Sequence, residues 1–198
     1  MKNLPLKVVL IGDTLVGKTS IATRYVNGDF NESYKGTVGA NFLHKLVEYN
    51  DYSCDLAIWD TAGHEVYRTL TPNYYRDANI AIIAFDITSM NTFKQVKSWV
   101  NEVKANVQDI IIIVVGNKQD LDSQRAVSID EASKLCQNFG VDYVETSALT
   151  GYGIDIVFET VVINYIESMN QKSFKVDTPK RVELTNDKSA EKKQKSCC

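Results

Sequence analysis

The sequence has no long hydrophobic run. Its longest uninterrupted apolar segments, Ile80–Phe85 and Ile110–Val115, have six residues each, whereas a membrane-spanning helix needs about 20. The apolar segment near the N-terminus, Val8–Ile11, is too short for the hydrophobic region of a secretory signal and fits a core strand better. We therefore expect neither a transmembrane helix nor a secretory leader.

Cysteine is scarce, and the chain is not basic. The four cysteines do not have the spacing of a disulfide framework, and Cys54 and Cys136 fall in strand-like and helix-like patterns that are typical of core thiols. We expect a reducing, cytosolic compartment. The net charge is −3 although basic residues predominate after Lys172, so the body of the chain is acidic. This argues against a nucleic-acid partner, which requires a basic face.

Alternating strand-like and helix-like patterns predict a single α/β domain. Ile110–Val115 lacks polar alternation, which is typical of a strand in a parallel sheet covered on both faces. A short turn at Asn50–Asp51 predicts an antiparallel hairpin at one edge. The prediction is a three-layer sandwich with a six-stranded, mostly parallel sheet, one antiparallel edge strand and about five helices. The predicted strands are 6–11, 39–49, 52–59, 80–86, 110–116 and 141–145; the predicted helices are 17–27, 66–77, 92–106, 129–138 and 154–169.

The periodic pattern stops near residue 170. Residues 171–198 have many charges, few large apolar side chains and no period, a composition typical of disorder. We therefore predict a folded domain over 1–170 and a disordered tail over 171–198, with no internal repeats.

A phosphate-binding motif follows the first predicted strand. Residues 12–19 read G-x-x-x-x-G-K-T between the strand ending at Ile11 and a predicted helix. Glycines let successive backbone N–H groups point at phosphate oxygens, and the helix N-terminus adds attraction for anions. Lys18 supplies a positive charge for the outer phosphates, and Thr19 offers a hydroxyl to Mg²⁺. The sequence therefore predicts a nucleotide site.

Two further motifs lie at strand ends. Asp60-Thr61-Ala62-Gly63 follows the third strand, where an Asp beside a phosphate loop holds Mg²⁺ through water and a glycine permits close approach to the terminal phosphate. Asn117-Lys118-Gln119-Asp120 follows the fifth strand. The Asp120 carboxylate can accept hydrogen bonds from guanine N1–H and the 2-amino group, which adenine lacks, and this argues against an ATPase or a small kinase with a similar loop.

The remaining base contacts come from neighbouring residues. We expect Lys118 to lie along the base plane and Asn117 to link its loop to the phosphate loop. Glu145-Thr146-Ser147-Ala148 ends the last strand, with the Ala148 N–H placed to meet guanine O6.

Over residues 6–169 the four motifs together resemble a small GTPase of the Ras superfamily, and within it the Rab family. The Gly39-Ala40-x-Phe42 variant favours the early-endosomal branch. The Rab-like segments are Thr37–Phe42, Ile58–Gly63, Tyr67–Thr71, Tyr74–Arg76 and Phe85–Thr88.

The resemblance implies a GTP/GDP switch with Mg²⁺ that recruits effectors in vesicle trafficking. Thr37 would bind Mg²⁺ and reach the γ-phosphate, which orders its segment only with GTP. The implied catalytic residues are His64, Lys18, Thr37 and Gly63; the implied metal ligands are Thr19, Thr37 and Asp60; the implied effector contacts are Phe42, Trp59 and Tyr74. The implied nucleotide contacts are Asp13, Thr14, Leu15, Val16, Gly17, Lys18, Thr19, Ser20, Phe30, Thr37, Gly63, Asn117, Lys118, Asp120, Ser147, Ala148 and Leu149. Phe42 and Trp59 also fit a second interpretation, as partly buried aromatics of the sheet.

Four positions depart from the family pattern, one of them Val66, where an Arg is common. His64 stands where a Gln usually orients the attacking water, which predicts slow intrinsic hydrolysis. One alternative is a switch with little or no intrinsic hydrolysis; another is that His64 positions the water itself. Leu15 and Leu149 replace a small residue and a Lys, and both predict weaker nucleotide binding.

The chain ends in Cys197-Cys198. On a Rab-like body this resembles the signal for two geranylgeranyl groups, and two lipid chains give stable anchoring where one does not. The resemblance implies an exchange factor, a GTPase-activating protein, Rab escort protein, GDP-dissociation inhibitor and GTP-state effectors as partners. It also implies location on the cytoplasmic face of an intracellular membrane, of the endosomal system, with cycling to the cytosol.

Overall fold

The computed structural model of the chain describes residues 1–31, 37, 39–63 and 74–176, with side chains described through residue 171. Strands and helices alternate along the chain. The elements are β1 (Lys2–Ile11), α1 (Lys18–Asn27), β2 (Ala40–Tyr49), β3 (Tyr52–Thr61), β4 (Ile80–Asp86), α2 (Met90–Asn106), β5 (Ile111–Asn117), a 3₁₀ helix (Gln119–Gln124), α3 (Ile129–Phe139), β6 (Asp142–Glu145) and α4 (Ile154–Val176). None of the helices within the described residues is long and apolar enough to cross a membrane.

The strands form one six-stranded sheet in the order β2-β3-β1-β4-β5-β6. Every neighbouring pair is parallel except β2 and β3, whose antiparallel pairing continues to Tyr49 opposite Tyr52 around the Asn50–Asp51 turn. This confirms the predicted α/β sheet with an antiparallel edge strand. Because the parallel strands point the same way, the loops after β1, β3, β5 and β6 meet at one edge of the sheet, where ligands of such folds bind.

A hydrophobic core lies on each face of the sheet. Alternation along β1 directs Val8 and Leu10 to the core packed against α1 and α4, and Val9 and Ile11 to the core packed against α2 and α3. The predicted burial of β5 on both faces is confirmed, because its residues from Ile112 to Asn117 are all buried. The predicted core thiols, Cys54 and Cys136, are buried and unpaired.

Local signals set the helix ends. Helix α3 begins with a capping box, in which Ser128 Oγ accepts from Glu131 N–H and the Glu131 carboxylate accepts from Ser128 N–H. Helix α1 ends at Gly28, whose φ of 75° is the left-handed conformation that glycine adopts easily.

Several predicted boundaries differ by one residue, β3 ends at Thr61 rather than residue 59, and three further differences have clear causes. Strand β1 begins at Lys2 rather than residue 6, because Lys2–Pro5 pair with Tyr52–Asp55, a long-range contact that its polar start conceals. Helix α2 begins at Met90 rather than residue 92, directly after its cap at Ser89. Helix α4 extends to Val176 rather than residue 169, although the apolar period fades there.

Two predictions concern segments that lie largely outside the residues described by the structure. Of the predicted helix at 66–77, residues 66–73 lie outside the described residues, and Tyr74 and Tyr75 are helical. The prediction is wrong for residues 76–77, which form a turn with Asp77 at φ 60°. Residues 171–176, predicted to belong to the disordered tail, are the last residues of α4. The disordered tail stays a prediction over 177–198, which lie outside the described residues.

Candidate nucleotide-binding site

The loop between β1 and α1 curls as a phosphate-binding loop requires. Gly12 has φ 135° and Gly17 has φ 96°, conformations that disfavour any residue with a Cβ. A Cβ on Gly12 would lie 2.2 Å from the Ala84 carbonyl oxygen, and one on Gly17 would lie 2.3 Å from Asn117 Nδ2. Both glycines are therefore required by backbone angle and by space. Leu15, at φ 62°, projects into solvent with 74% of its surface exposed.

Lys18 is buried at the start of α1. Its ammonium Nζ donates to the Gly12 carbonyl at 2.9 Å and to the Asp13 carbonyl at 2.7 Å. Burial lowers its pKa to about 8, against the opposing effect of Asp60 and Asp13. A buried cation whose direct hydrogen bonds go to backbone carbonyls is well suited to bind a phosphate oxygen.

Three oxygen-bearing side chains meet beside Lys18. Thr19 Oγ1 donates to Asp60 Oδ2 at 2.5 Å and lies 2.7 Å from Thr37 Oγ1. Asp60 is fully buried, and its Oδ1 has no hydrogen-bond partner among the residues that the structure describes. Burial raises the pKa of this carboxyl, although hydrogen bonds from Thr19 and Thr37 and the charge of Lys18 lower it.

These residues fit Mg²⁺. Hydroxyl and carboxylate oxygens are the ligands that Mg²⁺ prefers, and a buried carboxylate oxygen without a partner is the group that a cation would satisfy. Two of the three ligands here are threonine hydroxyls. Within the described part of the chain, no group of three or more His, Cys, Asp or Glu side chains is suited to a metal ion. Thr19, Thr37 and Asp60 would hold the ion, which supplies charge neutralisation for phosphates.

Gly63 packs directly against the phosphate loop. A Cβ at this residue would lie 2.4 Å from Lys18 Nζ and 2.5 Å from the Asp13 carbonyl. The structure thus brings the end of β3 to the phosphate end of the site, as the sequence predicted.

Asn117 links the two halves of the site. Its Nδ2 donates to the Val16 carbonyl at 2.8 Å, while its Oδ1 accepts from Thr146 Oγ1 at 3.1 Å and from Ala148 N–H at 3.3 Å. The predicted tie between the β5 loop and the phosphate loop is present, and it extends to the loop after β6. Asn117 is buried, so each of these bonds replaces one to water.

Asp120 lies against the loop that follows β6. Its Oδ1 accepts from Ser147 Oγ at 2.5 Å, and Ser147 Oγ in turn accepts from Thr150 N–H at 3.1 Å. Lys118, at φ 70°, forms a 2.6 Å ion pair with Asp86 at the end of β4. The structure therefore brings together the residues predicted to recognise the base.

Sequence reasoning missed four supporting residues. Asp86 pairs with Lys118, and Thr146 donates to Asn117; both stand at strand ends, a signal that was available. Trp99 Nε1 donates to Asp13 Oδ1 at 3.0 Å, and Arg24 donates to the carbonyls of Gly28, Ala148 and Leu149. Trp99 lies far from the motifs in sequence, and Arg24, although it follows the phosphate-binding motif closely, bonds to a loop more than 120 residues away. No local pattern indicates either role.

The aromatic residues predicted for effector binding form a chain across the sheet edge. The Phe42 and Trp59 rings are opposite each other on β2 and β3, with centroids 5.5 Å apart at 70°. Trp59 and Tyr74 follow at 6.2 Å. Phe42 is 52% exposed, whereas Trp59 and Tyr74 are partly buried and pack against the core. Phe30 is also partly buried against the core.

Three predicted residues lie outside the description. They are His64, Cys197 and Cys198. Leu149, in contrast, is described, and 43% of its surface is exposed beside the base loop.

Comparison with protein-family models identifies the family to which this site belongs. The model of the Ras family matches residues 7–167, which include every strand-end motif described above. The chain belongs to the Ras family. As a Ras-family protein, it is a GTP-binding switch with GTPase activity, it uses guanine nucleotide and Mg²⁺, and it acts through regulators and effectors.

Proposed function

We propose that this Ras-family protein is a Rab-type switch that recruits effectors to a membrane in vesicle trafficking. The aromatic chain of Phe42, Trp59 and Tyr74 carries the proposal. Large aromatics that contact one another, with an exposed member such as Phe42, are typical centres of protein interfaces. The segment Gly39-Ala40-Asn41-Phe42, which ends in the first of these aromatics, supports the early-endosomal branch of the Rab family.

Contacts between the predicted magnesium site and the start of β2 support a switch function. Thr37 lies 2.7 Å from Thr19 in the predicted magnesium site. Two residues later, the Gly39 carbonyl accepts from Ala62 N–H at 2.8 Å, and β2 begins at Ala40. A change in the position of Thr37 on loss of the γ-phosphate would therefore alter the start of β2, the strand that contains Phe42.

The effector proposal is tested by binding to a Rab effector domain of the early-endosomal class. The full chain is loaded with GDP or with a non-hydrolysable GTP analogue, and affinity is measured by calorimetry. We expect binding of the GTP form alone, and a loss of about 30-fold or more for Phe42→Ala, since interface hot spots contribute about 2 kcal/mol or more. The control is Leu46→Ala, which removes another exposed apolar side chain of β2. Equal binding of both nucleotide forms would contradict the switch.

Intrinsic hydrolysis is slow in this proposal. A neutral His64 has one donor and one acceptor on a rigid ring, and protonated His64 has no acceptor, so neither reproduces a Gln side chain. Single-turnover hydrolysis is compared between the native protein and His64→Gln. We expect Gln to be about tenfold faster, a difference of about 1.4 kcal/mol in the barrier. A native rate equal to or above that of His64→Gln favours the alternative in which His64 positions the water. No measurable turnover without an activating protein favours the pure binding switch.

Membrane attachment is proposed through Cys197 and Cys198. Two prenyl chains give anchoring that one chain does not, and Lys192 and Lys193 would add electrostatic attraction to an anionic leaflet. The proposal includes Rab escort protein and GDP-dissociation inhibitor as carriers and the cytoplasmic face of an endosomal membrane as location. Prenylation in the presence of escort protein is followed by mass spectrometry and liposome flotation. We expect two geranylgeranyl additions and flotation, both lost in the double Cys→Ser variant; flotation of that variant would contradict the proposal.

A further inference from the structure

One guanidinium joins the end of α1 to the loop that follows β6. Arg24 stands in the last turn of α1, and its Nε donates to the Ala148 carbonyl at 2.7 Å. Its Nη1 donates to the Gly28 carbonyl at 2.6 Å, and its Nη2 donates to the Leu149 carbonyl. All three nitrogens of the side chain are thus engaged, and two of the bonds reach a loop more than 120 residues away in sequence.

These bonds restrict how the loop presents its amides. Peptide groups are planar, so holding the Ala148 oxygen fixes the plane of the peptide that follows. The preceding peptide contains the Ala148 N–H, and its oxygen, on Ser147, accepts from Gly151 N–H at 2.8 Å. Ala148 is therefore held between two fixed peptide planes, one of them by Arg24.

We propose that Arg24 is a positioning residue for guanine recognition: by holding the peptide that follows Ala148, it restricts the direction of the Ala148 N–H, whose 3.3 Å bond to Asn117 Oδ1 is long enough to be shared with the O6 of the base. This inference rests on the assignment of the Ser147–Leu149 loop to the guanine ring. Arg24 itself does not touch the nucleotide in this proposal; it acts through carbonyls on the far side of the loop. The planar fork of an Arg is needed, since a Lys ammonium cannot reach three carbonyls at once.

The test uses three diphosphates that differ at one edge of the base. GDP presents both O6 and the 2-amino group, inosine diphosphate lacks the 2-amino group, and 6-thioguanosine diphosphate has a weakly accepting sulfur in place of O6. Affinities of the full chain with Mg²⁺ are measured for the native protein, Arg24→Gln and Arg24→Lys. Arg76→Gln, the same change at an exposed residue of another segment, is the matched control.

We expect Arg24→Gln to weaken GDP and inosine diphosphate by about tenfold each, the scale of one hydrogen bond to a charged or well-placed group. We expect the affinity for the 6-thio nucleotide to fall by less than about threefold, because its sulfur already accepts only a weak hydrogen bond. An equal loss of affinity for all three nucleotides, or no loss for any, would overturn the proposal. A general destabilisation of the fold would lower the three affinities alike, because it does not depend on the atom at position 6 of the base.

The two assignments fail in different ways. A native protein that binds GDP and the 6-thio nucleotide equally contradicts the placement of Ala148 at O6, and with it the base assignment. A native protein that distinguishes them, with Arg24→Gln distinguishing them as well, contradicts the role of Arg24 alone. If Arg24→Gln does not fold, Arg24→Lys decides: it keeps the charge and the stem, and native-like discrimination in that variant overturns the proposal.

Discussion

The two ends of the nucleotide site differ in how far the protein satisfies its own polar groups. At the base end, Asn117, Ser147 and Asp120 are joined in a hydrogen-bonded network that includes loop amides. At the phosphate end, Lys18 is a buried cation with a lowered pKa, and one oxygen of buried Asp60 has no partner among the described residues. The base end is therefore organised before binding, and the phosphate end gains most from the ligand.

The comparison has an energetic meaning. A satisfied network supports the fold, and breaking it leaves buried groups without partners. Buried charges with incomplete partners weaken the fold and are stabilised when an opposite charge arrives. Substitutions at the base end should thus reduce the stability of the nucleotide-free protein, whereas substitutions at the phosphate end should chiefly reduce affinity.

The largest expected effect is on affinity at the phosphate end. Lys18→Met should weaken GDP binding by at least about 100-fold, because charge-assisted bonds to phosphate contribute about 1.5–3 kcal/mol each. The free energy of unfolding without nucleotide should change by less than about 1 kcal/mol, since the lost bonds to Gly12 and Asp13 are offset by relief of a buried charge. Calorimetry and urea denaturation measure the two quantities.

The control for this variant is Lys104→Met, which removes an exposed lysine on α2. It should leave GDP affinity unchanged. A loss of several kcal/mol in the stability of nucleotide-free Lys18→Met would break the contrast between the two ends.

At the base end the expected effect falls on stability. Asn117→Ala leaves the Val16 carbonyl, Thr146 Oγ1 and Ala148 N–H without their partner. We expect the free energy of unfolding of the nucleotide-free protein to fall by about 2–4 kcal/mol. Asn101→Ala, at an exposed position of α2, should change it by less than about 0.5 kcal/mol. Equal stability of the two variants would show that the network does not support the fold.

The pH dependence separates the ends further. Phosphate binds the protonated Lys18, whose pKa is about 8 in the nucleotide-free protein. GDP affinity should be constant up to about pH 7, fall by about twofold at pH 8 and by about sixfold at pH 8.7, because the lysine must be reprotonated for binding. The fold shows the opposite sign: a lowered lysine pKa destabilises it below pH 8, and this cost disappears as pH approaches the unfolded pKa.

Lys18→Arg is the matched control for the pH profile. A guanidinium does not titrate in this range, so its affinity, whatever its absolute value, should be independent of pH. A native profile without a fall above pH 8 would mean that the cation is fully charged before binding.

The same contrast explains what the sequence could predict. The strand ends, the edge hairpin and the motif residues were predictable because glycine spacing and apolar runs are local signals. The wrong boundary of β1 and the missed roles of Arg24 and Trp99 have one cause: each depends on a partner far along the chain, such as Lys2 with Tyr52 or Trp99 with Asp13. Periodicity within a segment contains no information about such pairs.

The smallest expected effect concerns a hydrogen bond that the protein itself supplies to the Asp13 side chain at the phosphate end. Trp99 Nε1 donates to the Asp13 carboxylate at 3.0 Å from a buried position on α2. Trp99→Phe keeps most of the ring and removes the donor, so the Asp13 side chain is less restrained next to the loop that binds phosphate. We expect GDP to dissociate about threefold faster, below the net value of one charged hydrogen bond because water can replace the donor. Stopped-flow release of a fluorescent GDP analogue measures it. Asp13→Asn keeps an oxygen acceptor for Trp99 and should be nearer to native; if both variants release GDP at the native rate, the bond only packs α2 and the phosphate end is positioned by Lys18 and the glycines alone.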